Sequence, residues 1–187
     1  MPTRHANLSP TGISSGQHGD SLRSQKVAGN ATPEEAAREQ AEALVRVHEV
    51  FSGLPFNKLL GLDIVSLDHD RPRIRFDMRP ELIGNTFQGI LHGGVTSAVL
   101  DVIGGLVAFT GLVKNLTKIP VEERIQRFAK VGTIDLRIDY LRPGKGHWFE
   151  ATGYPLRTGN KVAVARMELH NDSGDLIAVG TGAYLVG

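Results

Sequence analysis

The most apolar run in the chain, Val95 to Val113, carries one charge, Asp101, and follows directly on the tripeptide His92-Gly93-Gly94. Read as a helix, it puts two glycine N–H groups at a helix N-terminus, where the first backbone donors lack an intrahelical partner and the dipole is positive. Neither glycine has a side chain to hold a polarised oxygen away. Asp101 adds the only acid, a carboxylate among apolar neighbours. An oxyanion donor and a base or nucleophile are what attack on a carbonyl requires. The chain contains no Cys. A thiolate nucleophile, a disulfide and a thiolate metal site are therefore excluded.

These groups need a framework. Lys and Arg number 21 against 20 Asp and Glu, a net charge of +1 over 187 residues. That balance removes the electrostatic case for nucleic acid as the main partner. Residues 1–31 hold Arg4, Arg23 and Lys26 against Asp20 alone, leaving residues 32–187 at −1. This first stretch is dominated by Ser, Gly, Asn, Thr and Pro, shows no hydrophobic period, and reads as a disordered tail. It has no apolar secretory segment, so a cytoplasmic location is expected. Its Gly12-Ile13-Ser14-Ser15-Gly16 matches a nucleophile motif, but no buried strand and helix flank it, so the match is a coincidence.

Order is expected from Thr32. Thr32-Pro33-Glu34-Glu35 is a capping box with Pro at the first helical position. A surface helix follows to about Phe51, its stripe at Ala37, Gln40, Leu44, Val47 and Phe51 narrow and partly polar. Strands are expected over Leu60–Leu67 and Arg73–Met78, then an irregular loop over 79–91 ahead of the apolar helix. Asp101 at the middle of that helix costs about 2.5–3.5 kcal/mol against membrane insertion. Gly104, Gly105, Thr96 and Ser97 and the missing basic anchors count the same way, so no membrane span is expected. A helix apolar on every side is instead wrapped by a sheet or buried in an assembly. The rest alternates as strands: Thr133–Leu141, Trp148–Leu156, Val162–His170 and Leu176–Val186, with short turns between the last three. One long helix and an antiparallel sheet of about six strands make an α+β roll.

That order, with Asn85, His92-Gly93-Gly94 and Asp101 at the head and middle of the central helix, resembles the hotdog fold. In particular it resembles the PaaI-like acyl-CoA thioesterases. The stretch Arg79-Pro80-Glu81-Leu82-Ile83-Gly84-Asn85 leading into Leu91-His92-Gly93-Gly94 is similar to bacterial members acting on medium- and long-chain acyl-CoA. The resemblance covers about residues 54–187 as a hotdog domain, behind the helix of 32–53 and the tail of 1–31. It implies an acyl-CoA substrate, with coenzyme A part of the substrate and no separate cofactor or metal. It also implies that Asn85 orients the attacking water or the carbonyl, that His92 positions the thioester, and that Thr133 hydrogen-bonds the water beside Asp101. Asn85 has a rival reading as a turn residue, and Gln88 is then an alternative donor. His92 has one as a cap, and Thr133 as a plain strand residue.

Gly93 and Asp101 are eight residues apart, about 12 Å along one helix at ~1.5 Å per residue. Both must come within about 3 Å of one thioester. A straight helix cannot do this alone. A second copy with its helix antiparallel alongside brings its Asp101 to the first copy's Gly93, so a homodimer, or a dimer of dimers, with composite sites is expected. Gly94 is expected to line the substrate, and Arg142, Arg157 and Lys161, at strand ends and turns, to be within reach of coenzyme A phosphates. The Gly104-Gly105 pair permits either close helix packing or room for an acyl tail. In the connection 114–130, a short helix is expected from Pro120 to Phe128, with Ile119, Val121, Ile125 and Phe128 either covering an acyl pocket or making a surface excursion. Two functions stand: an acyl-CoA hydrolase using Asp101 as base or nucleophile, and an acyl-CoA binding module without turnover.

Overall fold

The computed structural model describes residues 32–115 and 119–187. The tail expected over 1–31, with the serine motif inside it, lies outside the described residues.

Helix α1 spans Pro33–Gly53. Its start is chemical: the Thr32 hydroxyl accepts the Glu35 N–H at 3.2 Å while the Glu35 carboxylate accepts the Thr32 N–H at 2.8 Å, and two orphan donors are satisfied reciprocally. Ala43, Val47 and Phe51 are buried, whereas Ala37 is exposed. Only the C-terminal half of α1 therefore docks, on a stripe displaced by one residue from the expected Leu44. The strand expected from Leu60 is corrected. Residues Pro55–Leu60 form a second helix, α2, opened by Pro55 and closed by Gly61 at φ 69°. Six residues are too few for an apolar period to declare itself. The buried Asn57 donates from Nδ2 to the Phe51 carbonyl at 2.9 Å, so the joint between α1 and α2 is stapled.

Strands β1 (Asp63–Ser66) and β2 (Arg73–Asp77) follow. The loop over 79–91 is more ordered than expected. A turn of 3-10 helix at Pro80–Leu82 leads into a small hairpin, β3 (Ile83–Asn85) and β4 (Ile90–Leu91). The central helix α3 runs Gly93–Asn115, and a short helix α4, Val121–Gln126, packs on α1. Strands β5 (Gly132–Tyr140), β6 (Trp148–Thr158), β7 (Val162–Asn171) and β8 (Leu176–Leu185) complete the chain. The large sheet is antiparallel throughout, in the order β1-β2-β6-β7-β8-β5.

The alternation read from the sequence places the core. In β7, Ala163, Ala165, Met167 and Leu169 face inward, fully buried, against Val99, Leu100, Ile103 and Val107 of α3. Phe76 and Phe149 stack beneath at 5.3 Å between centroids. α3 is long and apolar enough to cross a membrane, but it lies on this sheet with two-thirds of its most apolar stretch buried. A half-exposed stripe remains on its other side, at Val95, Ala98, Asp101, Val102 and Gly105.

The glycine pair in α3 divides in two. A methyl group at position 104 would lie 2.5 Å from Cζ of the buried Tyr184, whereas at position 105 it would meet none of the described residues within 4 Å. Close packing explains the first glycine and open space the second. Gly104→Ala is therefore expected to destabilise by about 1–3 kcal/mol through overpacking. Gly105→Ala is expected to stabilise by up to about 1 kcal/mol through helix propensity. Urea melts of the two variants should move in opposite directions; a shift of the same sign in both would refute this reading.

Candidate active site

Gly93 is the first residue of α3, and the Tyr140 hydroxyl, from the end of β5, donates to its carbonyl at 3.0 Å. Among the described residues none accepts the Gly93 N–H. The Gly94 N–H is taken: it donates to Nδ1 of His92 at 2.8 Å. His92 is thereby a helix cap, with its own N–H on the Leu82 carbonyl at 2.8 Å. An accepting Nδ1 puts the neutral ring's proton on Nε2. The hairpin β3–β4 fits this cap closely, since a side chain at Gly84 would lie 2.6 Å from His92 Cα. Asn85 closes the hairpin turn, its Oδ1 accepting from the N–H groups of Phe87 at 3.1 Å and Gln88 at 3.3 Å. A substrate contact from Asn85 must then come from Nδ2. Gln88 and Phe87 stand exposed at the hairpin tip.

Asp101 is half-buried two turns along α3, and the Thr133 hydroxyl donates to its Oδ1 at 2.8 Å. Strand alternation alone would put Thr133 on the outer face with Asp135 and Arg137. A β-bulge decides otherwise: Thr133 pairs with Tyr184 and Asp135 with Ala183, leaving Ile134 as the extra residue, 56% exposed. The bulge turns Thr133 to the side of the sheet that carries α3, the re-aiming for which bulges recur near active sites. Tyr184 joins the same cluster, its hydroxyl donating to the Asp101 carbonyl at a long 3.4 Å. Burial first, and then the charge of Asp101, push the Tyr184 phenol far above its usual range. It stays an O–H donor at any working pH.

A cavity of about 170 Å³ opens beside the carboxylate. Asp101, Val102, Gly105 and Thr133 form one side, and Phe51 and Leu54 from the α1–α2 joint another. Sequence reasoning missed Tyr184 and the joint. The sole signal for Tyr184 was a hydroxyl in the inward row of β8, and the joint left none, because it depends on where α1 docks. Of the hydrophobic residues considered in the connection 114–130, Ile125 packs on the core. Val131, just beyond, is part of the cavity wall, while the side chains of Val121 and Phe128 lie outside the described residues.

The basic candidates divide between the two sheet ends. Strand register puts Arg157 and Lys161 at the end that carries Thr133 and Asp101. Arg142 lies at the other end, beyond Tyr140, with its guanidinium donating to the Leu176 carbonyl at 2.9 Å. Gly93 belongs to Arg142's end. Within one chain, then, the Gly93 N–H and the Asp101 carboxylate sit at opposite ends of β5. Among the described residues no group of three or more His, Asp or Glu is placed to hold a metal.

The thioesterase superfamily model matches residues 88–178. The medium/long-chain acyl-CoA thioesterase YigI of Escherichia coli is 46% identical over 147 residues, covering 78% of this chain and 95% of that protein. A crystal structure from Shewanella oneidensis, of a protein related to the thioesterase superfamily, matches with a TM-score of 0.76 at 54% identity. It covers 84% of this chain and all of that one. The E. coli PaaI protein, at 19% identity and a TM-score of 0.64, covers 80% of this chain and 96% of its own, a likeness of fold.

Proposed function

This chain belongs to the thioesterase superfamily, and from that footing we propose that it hydrolyses medium- or long-chain acyl-CoA to fatty acid and free coenzyme A at sites shared by two copies of the chain. The observation that carries the reading is the Thr133–Asp101 hydrogen bond at the mouth of an apolar cavity. A charge-assisted bond of this kind holds one carboxylate oxygen and leaves the other for chemistry.

Two copies supply the missing half. β5 is the edge of the sheet, with its outer hydrogen-bonding row unpaired among the described residues and Ile134 and Tyr140 exposed. A long edge strand invites pairing with another chain. Antiparallel pairing of β5 with its own copy, with the two-fold axis between Leu136 and Arg137, would set Thr133 opposite the partner's Tyr140. The partner's Gly93, held by that tyrosine, then arrives beside Asp101. The head of the half-exposed α3 stripe, at Val95 and Ala98, meets its twin at the same time, leaving Gly105 on the cavity. Arg157 and Lys161 of one copy come to the same site as the partner's Arg142, where coenzyme A phosphates would find them.

In that site the thioester oxygen takes the Gly93 N–H of the partner subunit. If Asp101 acts as base, it removes a proton from water as the new C–O bond forms. The C–S bond then breaks and the thiolate leaves with that proton. If it acts as nucleophile, the free oxygen of Asp101 displaces the thiolate to form a mixed anhydride, which water hydrolyses. Nδ2 of Asn85 is proposed to orient the water or the carbonyl, with the exposed Gln88 amide as the alternative. His92 holds the oxyanion loop in shape, and Gly94 lines the substrate. A cytoplasmic setting goes with an acyl-CoA substrate.

Free-thiol release measured over acyl-CoAs of increasing length tests the proposal. Turnover on octanoyl- and palmitoyl-CoA is expected, and binding without turnover at any length would replace the hydrolase by a binding module. Thr133→Val is expected to lower kcat about tenfold with KM little changed, equivalent to losing roughly 1.4 kcal/mol of transition-state stabilisation. Steady-state kinetics at saturating substrate would reveal a loss confined to KM, which would remove Thr133 from this role.

A further inference from the structure

The acyl chain needs somewhere to go from the carbonyl at Asp101, and the cavity beside it has walls of two origins. On α3, Gly105 lies one turn beyond Asp101, and among the described residues its missing side chain is open space: a methyl there meets none of them within 4 Å. Phe51 and Leu54, at the end of α1 and the start of α2, belong to the same wall. Both precede the segment 88–178 matched by the superfamily model. We infer that Gly105 and the α1–α2 joint together measure the acyl chain, Gly105 setting the depth available next to the carbonyl and Phe51 and Leu54 closing the far end. The inference rests on the acyl-CoA reading and adds to it the residues that select chain length.

Three observations support it. The cavity is continuous with the carboxylate, since Asp101 and Thr133 are part of its wall. Its size is appropriate: an apolar cavity of about 150 Å³ takes a benzene molecule, so about 170 Å³ accepts about six carbon atoms beyond the carbonyl. Its far wall is firm, because the buried Asn57 ties α2 to the Phe51 carbonyl and Phe51 is itself buried. Carbons beyond the sixth or so must pass the half-exposed Leu54 at that joint, which slows longer chains without excluding them. A helical glycine with free space around it is otherwise a cost, about 1 kcal/mol against Ala, and room for substrate is what that cost secures.

The test compares kcat/KM for butyryl-CoA and decanoyl-CoA in full-length wild type, Gly105→Leu and Leu54→Ala. Filling the pocket at Gly105 is expected to lower the decanoyl-to-butyryl ratio tenfold or more, the scale on which a hydrophobic pocket discriminates methylenes. Gly105→Ala should give a smaller shift in the same direction. Shortening Leu54 should raise the ratio several-fold. An unchanged ratio in Gly105→Leu, with its helical circular dichroism intact, would overturn the inference while leaving hydrolysis standing. Wild type inactive on every acyl-CoA would instead refute hydrolysis. In that case the same ratio is read from dissociation constants of butyl- and decyl-CoA thioethers, and equal ratios in wild type and Gly105→Leu again overturn the pocket.

Discussion

Asp101→Asn is expected to lower kcat on octanoyl- and palmitoyl-CoA by about a thousandfold, within the roughly 10²–10⁴ that a positioned acid or base contributes. Asn keeps the size of the side chain and can still accept the Thr133 hydroxyl bond, so the fold and the pocket should survive. What it loses is the negative oxygen that takes the proton of water or attacks the thioester. KM should change little, because the amide still lines the mouth of the same cavity. The thermal midpoint should stay within a few degrees of wild type. Retention of full thiol release by this variant would dismantle the mechanism on either route, since both run through the one carboxylate in α3.

The second large effect concerns who owns the site. Gly93→Pro removes the proposed oxyanion donor, and loss of such a donor costs about 10²–10³ in kcat. The substitution suits its position, since Pro is favoured as the first helical residue and Gly93 is not among the glycines of positive φ. Each variant alone should therefore fold and be nearly inactive. Refolded together in equal amounts, Gly93→Pro and Asp101→Asn chains pair at random, and half of the dimers are mixed. Every mixed dimer has one site with an intact Gly93 from one chain and an intact Asp101 from the other. About a quarter of wild-type activity should return. A mixture no more active than its separate components would show that each chain completes its own site, and light scattering on the mixture would show whether dimers formed at all.

Much of the framework was legible because it follows from repeating patterns. The alternation of Ala163, Ala165, Met167 and Leu169 against Val162, Val164, Arg166 and Glu168 separated the two faces of β7, of which the first is buried. The Thr32 capping box gave the start of α1, and the run from Val95 gave α3. What stayed hidden was short or irregular. The six residues of α2 were too few to show a period, and the pairs in the β3–β4 hairpin were concealed in a loop rich in turn formers. Asn85 and His92 each carried two readings in the sequence, and in the fold both hold backbone in place, Asn85 by closing a turn and His92 by capping α3.

By itself, then, the sequence determined the chemistry available: a glycine pair at a helix start, one acid within an apolar helix, no thiol, and an antiparallel sheet to wrap them. It also determined that Gly93 and Asp101 are too far apart along one helix to share a carbonyl. Only the tertiary structure decided how these groups are aimed. One extra residue, Ile134, bulges from β5 and turns Thr133 to Asp101, a reversal that strict alternation forbids. Tyr184 occupies the space over Gly104 but leaves Gly105 open, so two identical neighbours acquire opposite roles. The physical reason is common to both. Periodicity fixes which face a side chain occupies within a regular element, whereas aim and free volume depend on which other element packs there, and that is settled by contacts between residues distant in the chain.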